Sequence, residues 1–231
     1  MKLPDSGLIP IQPSRWVQQF KQGGCVVLKL SISLPRLVGD GPGVRRINRY
    51  YSRLADRWRA RWTGSLLCRA KEAHRLAHGE NRPFFPWEVQ ADYTVTLQTP
   101  ERLSLYWEAY EFTGGAHGDT VRHGDTWELP WGAPMPLRCF LPPKRRRAFV
   151  LAQVAQQIQA QVDAGEGLYF PQWPALIKSQ FDPDRFYLTP EGLAVFYPLY
   201  AIAPYAEGIP TFPLSLPTEP AAPEKAPIIN H

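Results

Sequence analysis

The chain has 231 residues, 44% of them hydrophobic and 13% aromatic, and carries a formal net charge of +5. That length is enough to bury a sizeable core in one large or two small domains, and the composition is ordinary for a globular protein. The positive balance favours anionic partners but falls short of a dedicated nucleic-acid binder.

The three cysteines, Cys25, Cys68 and Cys139, are far apart, with no C-x-x-C pair and no histidine at zinc-finger spacing. This argues against a disulfide framework and a structural zinc site, and predicts small buried thiols. A single disulfide stays open. No run approaches the ~20 apolar residues that span a bilayer. Cys25 to Leu34 alternates, is interrupted by Lys29, and reads as a strand rather than a signal-peptide core. At face value the chain is cytoplasmic.

Residues 1–22, with Pro4, Pro10 and Pro13, predict a loose N-terminal arm with one helical turn near Trp16–Phe20. The N-terminal half is expected over 23–118. Val26, Leu28, Leu30, Ile32 and Leu34 alternate with less apolar positions, a half-buried strand that Pro35 should end. A helix follows from Val44 to Trp62, with Ile47, Tyr51, Leu54 and Trp58 on one stripe. Its other face holds Arg45, Arg46, Arg49, Arg53, Arg57, Arg59 and Arg61. An anion-binding helix is one reading of that face. A solvated basic face is favoured, because the aromatics sit on the core stripe instead of between the arginines. A second helix is expected from Leu66 to His78. His74 and His78 have a chelating i, i+4 spacing, but no Glu stands between them, so exposed helix histidines are favoured.

Pro83 to Trp87 reads as an apolar loop. The segments Glu88–Gln98 and Arg102–Phe112 both alternate and predict a hairpin. The second strand runs into Gly114-Gly115-Ala116-His117-Gly118, where the glycine pair permits positive φ or close backbone approach. The C-terminal half is expected over 119–216. It opens with a turn at Arg122–Asp125 and a short strand at Thr126–Leu129. A helix from Lys144 to Ala164, opened by a basic quartet, and a short helix at Trp173–Phe181 follow. Next come a hairpin of Phe186–Leu188 with Leu193–Tyr200 and an aromatic ribbon to Phe212. Residues 217–231 predict a Pro-rich disordered tail.

His117, Asp119, His123 and Asp125 lie close together in sequence and offer imidazoles and carboxylates for acid–base or metal chemistry. Their spacing matches no metal signature, and no nucleophile with an orienting partner accompanies them. The plainer reading is that the glycines shape the turn and His117 bonds backbone groups beside it. No catalytic residue, metal ligand or cofactor is assigned. Candidate binding residues are Gly114, Gly115, His117, Asp119 and Tyr205, with Phe84, Phe85 and Trp87 as further aromatic loop contacts.

Tyr110 to Gly118 resembles a bacterial domain family of unknown biochemical activity. That family forms the extracytoplasmic part of RsiV-type anti-sigma factors and a non-catalytic region of PdaC-type polysaccharide deacetylases. Phe186 to Leu193, followed by Tyr200-Ala201-Ile202-Ala203-Pro204-Tyr205-Ala206-Glu207-Gly208, resembles it too, as does Pro35 to Gly39 with Ile47-Asn48. The resemblance covers about residues 25–216. It implies an α+β fold of antiparallel sheets with packed helices in two halves, the C-terminal half similar to a small subdomain of actin-like ATPases. It also implies a non-enzymatic binding or sensor module for a lysozyme-like protein or a peptidoglycan fragment. The alternative is a hydrolase acting on a cell-wall glycan through His117 and Asp119. Nucleic acid is not favoured. No membrane anchor, sigma-binding segment or deacetylase domain is evident, and the positive charge opposes a basic lysozyme.

Overall fold

A computed structural model describes residues 7–141 and 146–216. The expected tail at 217–231, and Lys144 and Arg145 of the basic quartet, lie outside the described residues. The fold is α+β, with a six-stranded and a three-stranded sheet.

The first sheet has strands in sequence order: β1 (Ile11–Gln22), β2 (Cys25–Leu37), β3 (Trp87–Gln98), β4 (Arg102–Phe112), β5 (Asp119–Glu128) and β6 (Ala133–Pro134). The sheets are antiparallel as expected except at one pairing, where β2 and β3 run parallel from Leu28↔Trp87 to Ile32↔Ala91. Parallel neighbours need a long crossover. Here it is α1 (Pro42–Arg61) and α2 (Leu67–Gly79), joined by a π-helical turn at Trp62–Leu66 that is kinked at Gly64. The helices lie on one face of the sheet. Ile47, Tyr51, Trp62, Leu66 and Ala70 there bury against Leu28, Leu30, Ile32, Leu34, Leu103 and Leu105. Asn48 fixes α1 to the end of β2 by exchanging two 2.8 Å hydrogen bonds with the Leu37 backbone, so β2 continues past Pro35.

The loose arm is corrected over residues 11–22. They form β1, antiparallel to β2 along its whole length, and the helical turn at Trp16–Phe20 is strand. The segment shows little periodicity because it is an edge strand exposed along most of both faces, and Pro13 is tolerated there. The turn expected at Arg122–Asp125 is likewise the middle of β5, paired with Glu108 to Leu105 of β4. Sheet membership therefore changes after Pro134 rather than at 118/119, and the second core begins at Leu137.

That core joins α3 (Arg146–Asp163) and α4 (Trp173–Ser179) to the sheet β7 (Phe186–Thr189), β8 (Gly192–Phe196) and β9 (Thr211–Leu214). Val150, Val154 and Ile158 of α3 pack on Leu188, Leu193, Val195 and Phe212. The opposite face of the small sheet, with Tyr187, Ala194 and Phe196, meets Tyr106 of β4. The layers therefore run helices, large sheet, small sheet, helices. At Gly124 the two sheets approach so closely that an added Cβ would stand 1.9 Å from the Phe186 carbonyl oxygen.

All three cysteines are free and exposed, which corrects the expectation of buried thiols. No helix among the described residues is long and apolar enough to cross a membrane.

Candidate functional site

The β4–β5 hairpin reverses at Gly114 and Gly115, whose φ values of 89° and 99° lie in the region that favours glycine. This presents His117 outward on the far side of the turn. Its Nδ1 lies 3.1 Å from the Gly118 carbonyl oxygen. A carbonyl only accepts, so in the neutral ring Nδ1 carries the proton and Nε2 is left as the acceptor. The Tyr200 hydroxyl donates to Nε2 at 3.1 Å. The Tyr205 ring stacks on the imidazole, with centroids 3.9 Å apart and planes 18° from parallel.

The partner loop is rigidly seated. Ile202 and Ala203 are fully buried, and the Ile202 carbonyl accepts from the Phe170 amide at 3.1 Å. With those small apolar residues pointing inward, Tyr200 and the one-turn helix that begins at Tyr205 face outward. Tyr200 has φ +59°, unusual for a residue with a side chain, and is 51% exposed. Strain of this kind persists only where the surroundings over-determine it, and it concentrates at functional sites.

The other candidates do not join this cluster. Asp119 pairs in register with Glu111 and lines a separate hollow of about 260 Å³ with Trp58 and Arg61. Arg61 grips Glu111 through two 2.8 Å bonds and Trp62 adds a third, and the Arg61 bonds are the main cause that holds the Glu111 carboxyl below its usual range. No hydrogen bond connects His117 with Asp119 among the described residues. Gly114 and Gly115 border another hollow of about 340 Å³ with Phe84 and Phe85. Phe85 is 69% exposed, whereas Trp87, which also lines this hollow, is the first residue of β3 and only 7% exposed. His74 and His78 stack in parallel, and His74 sits edge-on to Phe84.

His123 and Asp125 do meet, at 3.4 Å, on the helix-facing side of β5. Asp125 also accepts from the Tyr51 hydroxyl at 3.0 Å and the Tyr50 hydroxyl at 3.4 Å, and Tyr51 accepts from Trp127 Nε1 at 3.0 Å. The hydrogen bond to Asp125 raises the His123 pKa against the opposing effect of burial. Burial first, and Asp125 second, push both tyrosine hydroxyls up. Sequence reasoning named His123 and Asp125 as candidates but missed their partners Tyr50, Tyr51 and Trp127, because a His-Gly-Asp run looks like a turn and Tyr51 looks like plain core. It missed Tyr200 as a site residue as well. Its only signal was its place at the head of the Tyr-Ala-Ile-Ala-Pro-Tyr segment.

Residues 26–120 match the family model described as "Deacetylase PdaC", and residues 140–216 match "Protein of unknown function (DUF3298)". One segment of the chain is thus similar to each of these two models. The His117–Tyr200 hydrogen bond links the two segments. A DUF3298 family structure from Bacteroides fragilis is similar at 16% identity with a TM-score of 0.65, covering 91% of each chain. Another, from Pseudomonas aeruginosa, is similar at 20% identity with a TM-score of 0.56, covering 90% of each chain. These likenesses establish the fold. No curated protein matches the chain.

Proposed function

We propose that this protein is a non-enzymatic binding module that takes a soluble peptidoglycan fragment on the surface formed by His117, Tyr200 and Tyr205. The observation that carries the reading is the backbone of Tyr200. An exposed aromatic side chain is held at φ +59°, with its hydroxyl fixed on an imidazole from the other sheet. Fixed rings with hydrogen-bonding tips contact a ligand at low entropic cost.

Binding rather than turnover is supported by the partners of His117. They are a carbonyl and a tyrosine hydroxyl, and among the described residues no carboxylate orients the ring toward a nucleophile. Among the ligands the family resemblance suggests, the net charge of +5 favours a wall fragment bearing carboxylates over a basic lysozyme. Asp119 takes no part in this surface.

The test is a titration of the purified chain with soluble peptidoglycan fragments and with lysozyme across a salt series. Saturable binding of the fragments, weakened at least about tenfold by His117→Ala and by Tyr200→Ala, is the expected result; that factor corresponds to about 1.4 kcal/mol. Binding of lysozyme alone, or release of a cleaved product from the fragments, overturns the reading.

A further inference from the structure

The hollow between α1 and the β5–β6 edge is larger than those beside Asp119 and Gly114, at about 550 Å³. Arg46, Arg49, Arg53 and Arg57 line one side of it, and Tyr50 and Asp125 lie among its other walls. The remaining arginines of the same helix are engaged. Arg45 reaches the Asp40 carbonyl, Arg59 pairs with Asp56, and Arg61 with Glu111. Those in the hollow are exposed and form no ion pair or hydrogen bond among the described residues. Like charges a helical turn apart repel. A row of them facing one hollow is therefore a destabilising arrangement that a bound anion would relieve.

We propose that this hollow binds a linear polyanion built from hydroxyl-bearing units, the class of acidic glycans and polyol phosphates. Guanidinium groups suit both phosphate and carboxylate through paired N–H donors. Arg49, Arg53 and Arg57 follow one another at about 6 Å along the helix axis, comparable to one monomer unit of such a chain. The carboxylate of Asp125 discriminates among anions. It is only 9% exposed and is held by the Tyr50 and Tyr51 hydroxyls. An acceptor at that position disfavours a ligand that is all oxyanion and favours one that also donates hydroxyl protons. Nucleic acid fits poorly, because the two rings that line the hollow pack on each other rather than stand open to a base, and the exposed Trp131 of the β5–β6 connection lies outside that lining. Trp127 is 6% exposed and packs edge-on against Tyr50 with centroids 5.1 Å apart.

This site shares no residue with the His117–Tyr200–Tyr205 surface and stands or falls apart from it. The test titrates the full chain with a short poly(glycerol phosphate), an oligogalacturonate and single-stranded oligo-dT of matched charge, at low and high salt. We expect saturable binding of the poly(glycerol phosphate) or the oligogalacturonate, tighter than oligo-dT, and weakened at least tenfold by the double change Arg49→Ala with Arg53→Ala. The double change Arg75→Ala with Arg82→Ala removes the same charge elsewhere and should alter affinity less than twofold. His117→Ala should leave it unchanged. Thermal unfolding of each variant verifies that it is folded. Equal weakening by both double changes, preference for oligo-dT, or binding of none of the polymers overturns the proposal.

Discussion

The imidazole Nε2 of His117 and the hydroxyl of Tyr200 stand 3.1 Å apart although 83 positions separate them in the chain. One belongs to a hairpin turn of the large sheet, the other to the loop that follows the central strand of the small sheet. The loop backbone gives this contact a test of its own. At φ +59°, position 200 strains any residue that carries a Cβ by about 1 kcal/mol, and glycine escapes that strain. Tyr200→Gly should therefore be more stable than Tyr200→Ala by about that amount in urea unfolding, although both lose the ring. Equal stabilities would show that the backbone is not strained.

Ser104 makes the polar seam between the sheets. It is fully buried, accepts from the Leu188 amide at 2.8 Å and lies 2.8 Å from the Thr126 hydroxyl. Ser104→Ala leaves the Leu188 N–H without its acceptor in a buried interface. The expected loss is about 2 kcal/mol in chemical denaturation, and a loss below about 0.5 kcal/mol would show that the amide finds another acceptor.

Gly124 should be still less tolerant. A methyl group there meets the Phe186 carbonyl oxygen, a backbone atom that cannot rotate away. Gly124→Ala is expected to cost about 3 kcal/mol by pushing the sheets apart. A loss below about 1 kcal/mol in equilibrium unfolding would show that the interface yields.

The His123–Asp125 pair makes stability depend on pH. The folded pKa of His123 lies above its ordinary value of 6.5, chiefly through its hydrogen bond to Asp125. A folded value above the unfolded one means that the folded state binds the proton more tightly. This contribution is fully present below pH 6.5 and is lost as pH rises through the folded value. Urea midpoints should fall across that window, and Asp125→Asn should flatten the fall. An NMR titration that places His123 at or below its ordinary value would refute the assignment.

The strand Arg102–Phe112 was legible to the residue, because its alternation is regular and Gly114-Gly115 ends it unambiguously. The stripe Ile47, Tyr51, Leu54, Trp58 placed α1 for the same reason. What escaped was set by partners distant in the chain. β1 has little periodicity because an exposed edge strand has no single face to bury. Parallel pairing of β2 with β3 leaves no mark on either strand alone. At the candidate site the turn and its histidine were readable from local chemistry. The contact with Tyr200, and the separation of His117 from Asp119, depend on how the small sheet docks.

The order of strands in the large sheet also bears on which piece of this chain can be inherited or transplanted as a module. The stretch matched to the PdaC description begins at residue 26, inside β2, and stops at residue 120, two residues into β5. Cut there, a fragment would shed β1 from one side of β2 and most of β5 from one side of β4, so that the open rows of amides and carbonyls move from the exposed β1 to the buried, apolar β2 and from β5 to β4. Such rows recruit strands from other copies. The segment recognised by similarity is thus shorter than the sheet it belongs to, and a transplanted piece is expected to stay monomeric only when β1 and the whole β5–β6 return come along.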